Sequence, residues 1–193
     1  MGTLLNRRRY MGGGSSLPYD AEIEYLEADG LERIVTDIIS SSSMAYEAKY
    51  GFDAITKRTF LFGIYGNSGG GFVAVAANGK YEPARLNVVL ANGIHELYFS
   101  KSESIIDGNT YAAKEDLFVN RATWPITIFQ YQKDELYGGV QRLYYFNVYN
   151  NGVKVYELIP VRIGQVGYLY DKVSGTLFGN NGTGSFTLGP DKT

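Results

Sequence analysis

The chain has 193 residues and a mass of 21.4 kDa, a length suited to one domain or to one domain with a short arm. It has no cysteine and a single histidine, His95, which excludes disulfides, thiolate metal sites, a cysteine nucleophile and a multi-histidine metal centre. A net charge of -2, from 18 basic and 20 acidic side chains, argues against a generally basic nucleic-acid binder. The 45% of hydrophobic residues and mean hydropathy of -0.16 describe an ordinary folded chain with no membrane-spanning run.

Residues 1–18 read as a basic, glycine-rich N-terminal arm. Arg7, Arg8 and Arg9 are its only charged side chains, Tyr10 follows them, and Gly12-Gly13-Gly14-Ser15-Ser16 has the composition of a flexible linker. Leu4-Leu5 runs straight into the arginines, unlike a signal peptide, and Asn6 stands where a myristoylation signal wants Ser or Thr. The expectation is therefore synthesis in the cytoplasm without export. The arm reads either as a solvated tail or as a docking element. The rest of the chain is net acidic, which suits docking onto a neighbouring copy or another protein. Residues 19–193 read as the body.

The body contains 17 Tyr, 10 Phe and 24 Gly together with the arm, and that mixture of aromatics and turn residues predicts an all-β domain. Ala21 to Leu26 alternates apolar and acidic residues as a half-buried strand. Asp29-Gly30 is a turn, and strands follow over Arg33 to Ile39, Tyr46 to Phe52 and Arg58 to Tyr65, with Ser40 to Ser43 as a loop. Asn67 to Gly71 is a glycine-rich loop, after which Phe72 to Ala77 closes on Asn78-Gly79. Leu86 to Ala91, Asn92-Gly93 and Ile94 to Ser100 read as a hairpin with a type I′ turn. Asp107-Gly108 then separates that hairpin from Thr110 to Ala113, Lys114 to Phe118 suits one helical turn, and Trp124 to Gln130 is a strand. The strongest hairpin is Leu143 to Tyr149, Asn151-Gly152 and Val153 to Ile159, with Pro160 expected to end it. Short strands over Gly167 to Tyr170, Thr176 to Phe178 and Ser185 to Leu188 complete about a dozen, the pattern of an antiparallel sandwich or jelly roll.

Several residues invite a chemical reading. Glu22-Ile23-Glu24-Tyr25-Leu26-Glu27 resembles the Glu-x-Asp-x-x-Glu strand of sandwich-fold β-glucanases, where carboxylates on one strand face act as nucleophile and acid/base. Here Glu24 replaces the Asp, and Trp124 is the only tryptophan available to stack on sugar. The alternative, a solvated charged face on an edge strand, is the reading adopted, so no enzymatic activity is expected. His95 beside Glu96 reads as a surface or partly satisfied histidine. Gly69-Gly70-Gly71 lacks the Lys and Ser/Thr of a phosphate loop. Asp53, Asp107, Asp116 and Asp171 do not fall in calcium-loop spacing, and no metal or cofactor is expected. Tyr144, Tyr145, Tyr149, Tyr156, Tyr168 and Tyr170 lie on or beside the C-terminal strands. Alternation directs some of them outward, where tyrosine serves protein or sugar contacts, or inward as core and cross-strand pairs.

The C-terminal third carries a resemblance. The tyrosine-rich hairpin from Arg142 to Arg162 is followed by Gly167-Tyr168-Leu169-Tyr170-Asp171-Lys172-Val173-Ser174-Gly175-Thr176-Leu177-Phe178-Gly179-Asn180-Asn181-Gly182-Thr183-Gly184-Ser185-Phe186. Together these resemble the concanavalin A-like (laminin G-like) jelly-roll domains of virion structural proteins from tailed phages and prophages of gut bacteria. Leu17 to Glu27 is similar to the opening of that family, so the resemblance spans about Leu17 to Pro190. Asp29 to Ile38 departs from the Thr-Gly-Thr-Gln-Tyr-Ile-Asp-Thr-Gly-Ile usual there, losing its Asp and second Gly. The resemblance implies an antiparallel jelly-roll sandwich and a virion context, with no catalytic residue. The expected function is an auxiliary capsid, head-fibre or decoration subunit. It would be a homo-oligomer assembled in bacterial cytoplasm and anchored on other virion proteins through Arg7, Arg8, Arg9 and Tyr10. The alternative is a carbohydrate-binding module of a phage fibre or bacterial adhesin, with a host-surface glycan as partner. Neither reading calls for a nucleic acid or a membrane.

Overall fold

The computed structural model describes residues 17–64, 71–75, 78–82, 88–112, 125–130 and 139–193. Arg7, Arg8, Arg9, Tyr10, Gly69, Gly70, Asp116 and Trp124, and the helical turn expected over 114–118, lie outside them. The strands are β1 (Ala21–Glu22), β2 (Leu26–Ala28), β3 (Ile34–Ile39), β4 (Met44–Phe52), β5 (Thr59–Ile64), β6 (Gly71–Val75), β7 (Tyr81–Glu82) and β8 (Gly93–Phe99). They continue with β9 (Glu103–Ile106), β10 (Asn109–Ala112), β11 (Pro125–Ile128), β12 (Gln141–Asn150), β13 (Val153–Ile163), β14 (Val166–Asp171), β15 (Leu177–Phe178) and β16 (Thr187–Leu188). Among the described residues there is no helix and every strand pair is antiparallel, so the chain is all-β as its composition predicts.

The strands form two sheets. The larger runs β10-β9-β8-β4-β12-β13-β14-β15, with β1 against β13, β2 against β12 and β16 against β2; the smaller runs β3-β11-β5-β6-β7. Strand alternation sends Tyr46, Ala48, Tyr50 and Phe52 of β4 and Leu143, Phe146 and Val148 of β12 into one core with Leu61, Phe62 and Ile64 of β5. The Phe62 ring lies 5.5 Å from that of Tyr46 and 4.9 Å from that of Phe146. The fully buried Tyr50 donates its hydroxyl to the Leu61 carbonyl at 2.9 Å, so a hydrogen bond joins the layers inside the apolar seam. The arrangement is β-sandwich-like.

The first and last described segments are tied together on β13. The Asp20 amide donates to the Arg162 carbonyl at 2.9 Å, Ile23 to Pro160 at 3.0 Å, and Lys192 to Glu22 at 2.8 Å. Arg162 Nε donates to Asp191 Oδ1 at 2.6 Å while Nη2 donates to Oδ2, a two-pronged charge pair. Tyr19 sits on the opposite side of the large sheet from the main core, in a smaller cluster with Ile159 and Val161 flanked by Tyr168, Tyr170 and Leu177.

Three expectations about local structure are corrected. Asn92-Gly93 is not a hairpin turn: of the two residues only Gly93 has positive φ, 142°, whereas a type I′ turn needs both. Among the described residues the segment before it bridges Lys80 at Val89 and donates the Leu90 amide to the Gly79 carbonyl at 2.7 Å, and Asn92 Oδ1 accepts the Ile55 amide at 3.3 Å. The type I′ turns are Asp107-Gly108 (φ 50° and 79°), which joins the unanticipated strand β9 to β10, and Asn151-Gly152 (φ 49° and 78°). Pro160 does not end β13, which continues to Ile163. Its carbonyl accepts from Ile23, and a strand residue points its N and C=O to the same edge. Pro160 stands where β13 passes from pairing with β12, which ends at Leu158, to pairing with β1, which begins at Val161. The strand expected over Ala21 to Leu26 breaks in two, because Ile23 and Leu26 are both core residues three positions apart.

The segment that carries the family resemblance closes the structure. Asp171, fully buried, accepts the Glu157 amide at 2.8 Å and the Val173 amide at 3.1 Å on Oδ1, and the Ser174 amide at 3.0 Å on Oδ2. Asn180 Oδ1 accepts Arg33 N at 3.2 Å and Asn181 Oδ1 accepts Val35 N at 2.8 Å, clamping the start of β3. Gly182 and Gly184 lie so close to Leu31 and Glu32 that neither has room for a Cβ. We predict that Asp171→Ala leaves three backbone amides without their carboxylate partner and lowers unfolding stability by about 3 kcal/mol, read as a shifted denaturant midpoint with unchanged slope. Asp171→Asn should also destabilise, because its NH2 presents a donor to backbone donors.

Candidate binding surface

The core positions fix the outer face of the large sheet. With Tyr46, Ala48 and Tyr50 inward, β4 presents Glu47, Lys49 and Gly51; with Leu97 and Phe99 inward, β8 presents Ile94, Glu96 and Tyr98. On β12 the register steps from Leu143 opposite Tyr50 to Tyr145 opposite Lys49, so Tyr144 is an extra residue in a β-bulge. The bulge resets the alternation, and Tyr145, Asn147 and Tyr149 then face outward. Tyr144 also points out: a Cβ on Gly51 would lie 3.2 Å from its ring, and Tyr25 meets it edge-on at 5.6 Å. Tyr168 and Tyr170 of β14 belong to the same face with Tyr19. Tyr156 is the exception among the C-terminal tyrosines, since it packs against the main core and hydrogen-bonds Asp37 of the smaller sheet. A half-buried phenol suits such a face because its ring covers apolar backbone and its hydroxyl reaches water.

Glu47 organises the centre of this face. Its Oε2 accepts both Asn147 Nδ2 at 2.9 Å and the Tyr149 hydroxyl at 2.8 Å. Lys49 Nζ donates to Glu96 Oε1 at 3.2 Å, and Lys154 Nζ reaches Glu157 Oε2 at 3.4 Å and lies 5.8 Å from the Tyr149 ring. Burial, then the Glu47 and Glu96 charges, raise the Tyr145 phenol to about 12; burial, then the bond to Glu47 and its charge, raise Tyr149 to about 12. One edge of the face is an ion cluster. Arg142 donates through Nε to Glu27 at 2.6 Å and through Nη1 to Asp53 at 3.0 Å, with the guanidinium 5.1 Å from the Tyr25 ring.

The carboxylates of the Glu22–Glu27 segment do not share one strand face. Glu22 pairs with Val161 of β13 and accepts the Tyr19 hydroxyl at 3.1 Å. Glu24 is exposed, and Glu27 pairs with Arg142 of β12 and is bound by its guanidinium. His95 faces inward on β8, where Nδ1 lies 2.7 Å from Asp107 Oδ2 and Nε2 lies 2.9 Å from the Ala91 carbonyl, a tie between β8 and the β9–β10 turn. Asp53, Asp107 and Asp171 are thus engaged with Arg142, His95 and backbone amides respectively. Among the described residues no group of three or more histidine or acidic side chains is placed to hold a metal ion. The arm residues Arg7, Arg8, Arg9 and Tyr10 lie outside the described residues. Sequence reasoning identified the tyrosines but not Glu47, Lys49, Glu96 or Asn147, whose only signal is their alternation with buried partners.

Comparison with known proteins finds no matching family model, no matching curated protein and no matching solved structure.

Removing the Glu47 charge should lower both phenol pKa values, Tyr149 more than Tyr145 because Tyr149 also loses a hydrogen-bonded carboxylate. Burial keeps both above the ordinary 10. An ultraviolet titration of phenolate absorbance in wild type and Glu47→Gln checks this. Raised phenol values mean that the folded state holds these protons more tightly than the unfolded chain. Their stability contribution is therefore complete below pH 10 and is lost as pH rises from 10 towards 12, a decline that should be shallower in Glu47→Gln.

Proposed function

We propose that the chain is a structural protein of a tailed-phage virion, an auxiliary capsid, head-fibre or decoration subunit without enzymatic activity. Its body is a jelly roll facing outward. The N-terminal arm, through Arg7, Arg8, Arg9 and Tyr10, fastens it to capsid or fibre subunits in a homo-oligomeric setting. The observation that supports this is the use made of the family-like residues. Asp171, Asn180 and Asn181 bond backbone amides and Gly182 and Gly184 admit the 31–32 segment, so what resembles virion jelly rolls is spent on closing the fold. Arginine suits the arm's role because its planar fork pairs with carboxylates across an interface.

A second reading, a carbohydrate-binding module on a phage fibre or bacterial adhesin, is favoured by the tyrosine-lined outer face around Glu47. It is compatible with display on a virion.

Replacing Arg7, Arg8 and Arg9 together by Ala is expected to reduce incorporation into particles, most clearly at low salt, while leaving the melting of the isolated protein unchanged. Normal incorporation of the triple variant at low and high salt would overturn the anchoring role. Deleting residues 1–16 should preserve a cooperative melt. Tyr19→Ala should lower it, since Tyr19 covers Ile159 and Val161 with 9% of its surface exposed.

A further inference from the structure

We infer that the outer face of the large sheet holds a binding site for a neutral, hydroxyl-rich glycan, centred on Tyr145 and bounded by Glu47, Lys49, Glu96, Tyr98 and Asn147. This inference rests on the carbohydrate-binding reading and gives that reading a place and a ligand chemistry.

The bulge at Tyr144 is the first reason. It aims consecutive tyrosines at the same face, and bulges are a recurrent means of re-aiming a side chain beside a functional site. Tyr145 stands opposite Lys49 in the ladder, and Glu47 and Glu96 are near enough for their charges to act on its hydroxyl. A ring in that position offers an amphipathic platform with polar groups around it, which is what a sugar ring presents in return.

The second reason is the inventory of hydrogen-bonding atoms. The Tyr145 and Tyr98 hydroxyls, Glu47 Oε1 and Glu96 Oε2 make no hydrogen bond among the described residues, although Lys49 Nζ, Asn147 Nδ2 and the Tyr149 hydroxyl beside them are bonded. Phenols both donate and accept, and carboxylate oxygens accept, so the set matches hydroxyl groups, which do both. Independently, Asn147 is 8% exposed, yet its Oδ1 is a buried acceptor with no partner, beside the Nδ2 that donates to Glu47. Tyr145 and Tyr149 flank it along β12, and Glu47 and Glu157 flank it across the ladder. An unmet buried acceptor costs stability, and a ligand hydroxyl that displaces a flanking side chain recovers it.

The third reason is charge. Lys49 is paired with Glu96, and Lys154 and Lys172 both reach Glu157, so with Glu47 these groups set three positive charges against three negative ones and each of these lysines already has a carboxylate partner. An anionic ligand would have to compete with those carboxylates for a lysine, whereas a neutral one need not. The face therefore favours neutral over sialylated and phosphorylated glycans.

The test is a printed panel of neutral and sialylated oligosaccharides probed with the full chain. Calorimetry follows with the tightest neutral hit on wild type, Tyr145→Ala, Tyr145→Phe, Glu47→Gln and, as a control away from the face, Glu24→Gln. Circular dichroism and melting accompany each variant. The expected result is a neutral hit whose affinity falls tenfold or more in Tyr145→Ala and several-fold in Glu47→Gln, with Glu24→Gln unchanged. Tyr145→Phe keeps the ring and should lose less than Tyr145→Ala, so the inference stays testable if the alanine variant unfolds. Binding of a neutral glycan that neither Tyr145→Phe nor Glu47→Gln alters would overturn this site while leaving the carbohydrate-binding reading intact. Preferential binding of sialylated members would overturn the neutral chemistry. Failure of every panel member, with the chain folded, would remove the carbohydrate-binding reading and the site with it.

Discussion

The seam between the sheets is what the rest of the structure depends on. Tyr46, Tyr50, Phe62 and Phe146 fill it, and the Tyr50 hydroxyl meets the Leu61 carbonyl within it. Burial in that seam also holds the Tyr50 phenol well above its ordinary range, so the hydroxyl stays a donor. Because strand side chains alternate, each inward residue dictates an outward neighbour: Tyr46 and Ala48 place Glu47 outside, and Ala48 and Tyr50 place Lys49. A slip of one residue would send Glu47 and Lys49 into the core and expose the tyrosines, so the outer face is specified by the packing beneath it.

The legible and illegible parts of the sequence separate along this line. Asn151-Gly152 was legible because a type I′ turn and two strongly apolar flanks agree. Asn92-Gly93 has the same dipeptide, but its upstream partner is held elsewhere and the turn does not form. Turn chemistry permits a hairpin; the pairing of the flanks decides it. Pro160 misled for a related reason. It stands where β13 changes neighbours from β12 to β1, and no local pattern marks such a point. The acidic pattern from Glu22 to Glu27 looked like one strand face, yet Ile23 and Leu26 both enter the core and break the period. The outer face was legible only in its residue types. Tyr145, Asn147 and Tyr149 face outward although Leu143 faces inward, because one residue, Tyr144, is inserted in the ladder, and a single-residue bulge leaves no periodic trace.

Polar groups around Asp171, Asn180 and Glu32 behave differently from those on the face. Asp171 has all its demand met by amides, and Asn180 and Asn181 likewise serve β3. Glu32 accepts the Asp29 amide at 2.9 Å in a site Gly184 leaves open, and burial raises its carboxyl above the ordinary range. These groups are committed to architecture. Around Glu47, by contrast, donors and acceptors are left over on a surface that is otherwise well paired.

The joining of residues 20–24 to residues 190–192 has a mechanical meaning. Asp20 and Ile23 bond to β13 on one side, Glu22 and Glu24 bond to Lys192 and Pro190 on the other, and the Arg162–Asp191 fork binds the tail to the same strand. A pull on Leu17 along the strand axis loads these bonds in parallel, as a lap joint does, instead of breaking them one at a time. The tension then passes from β13 to β12 and β14, the long strands paired on either side of it in the large sheet.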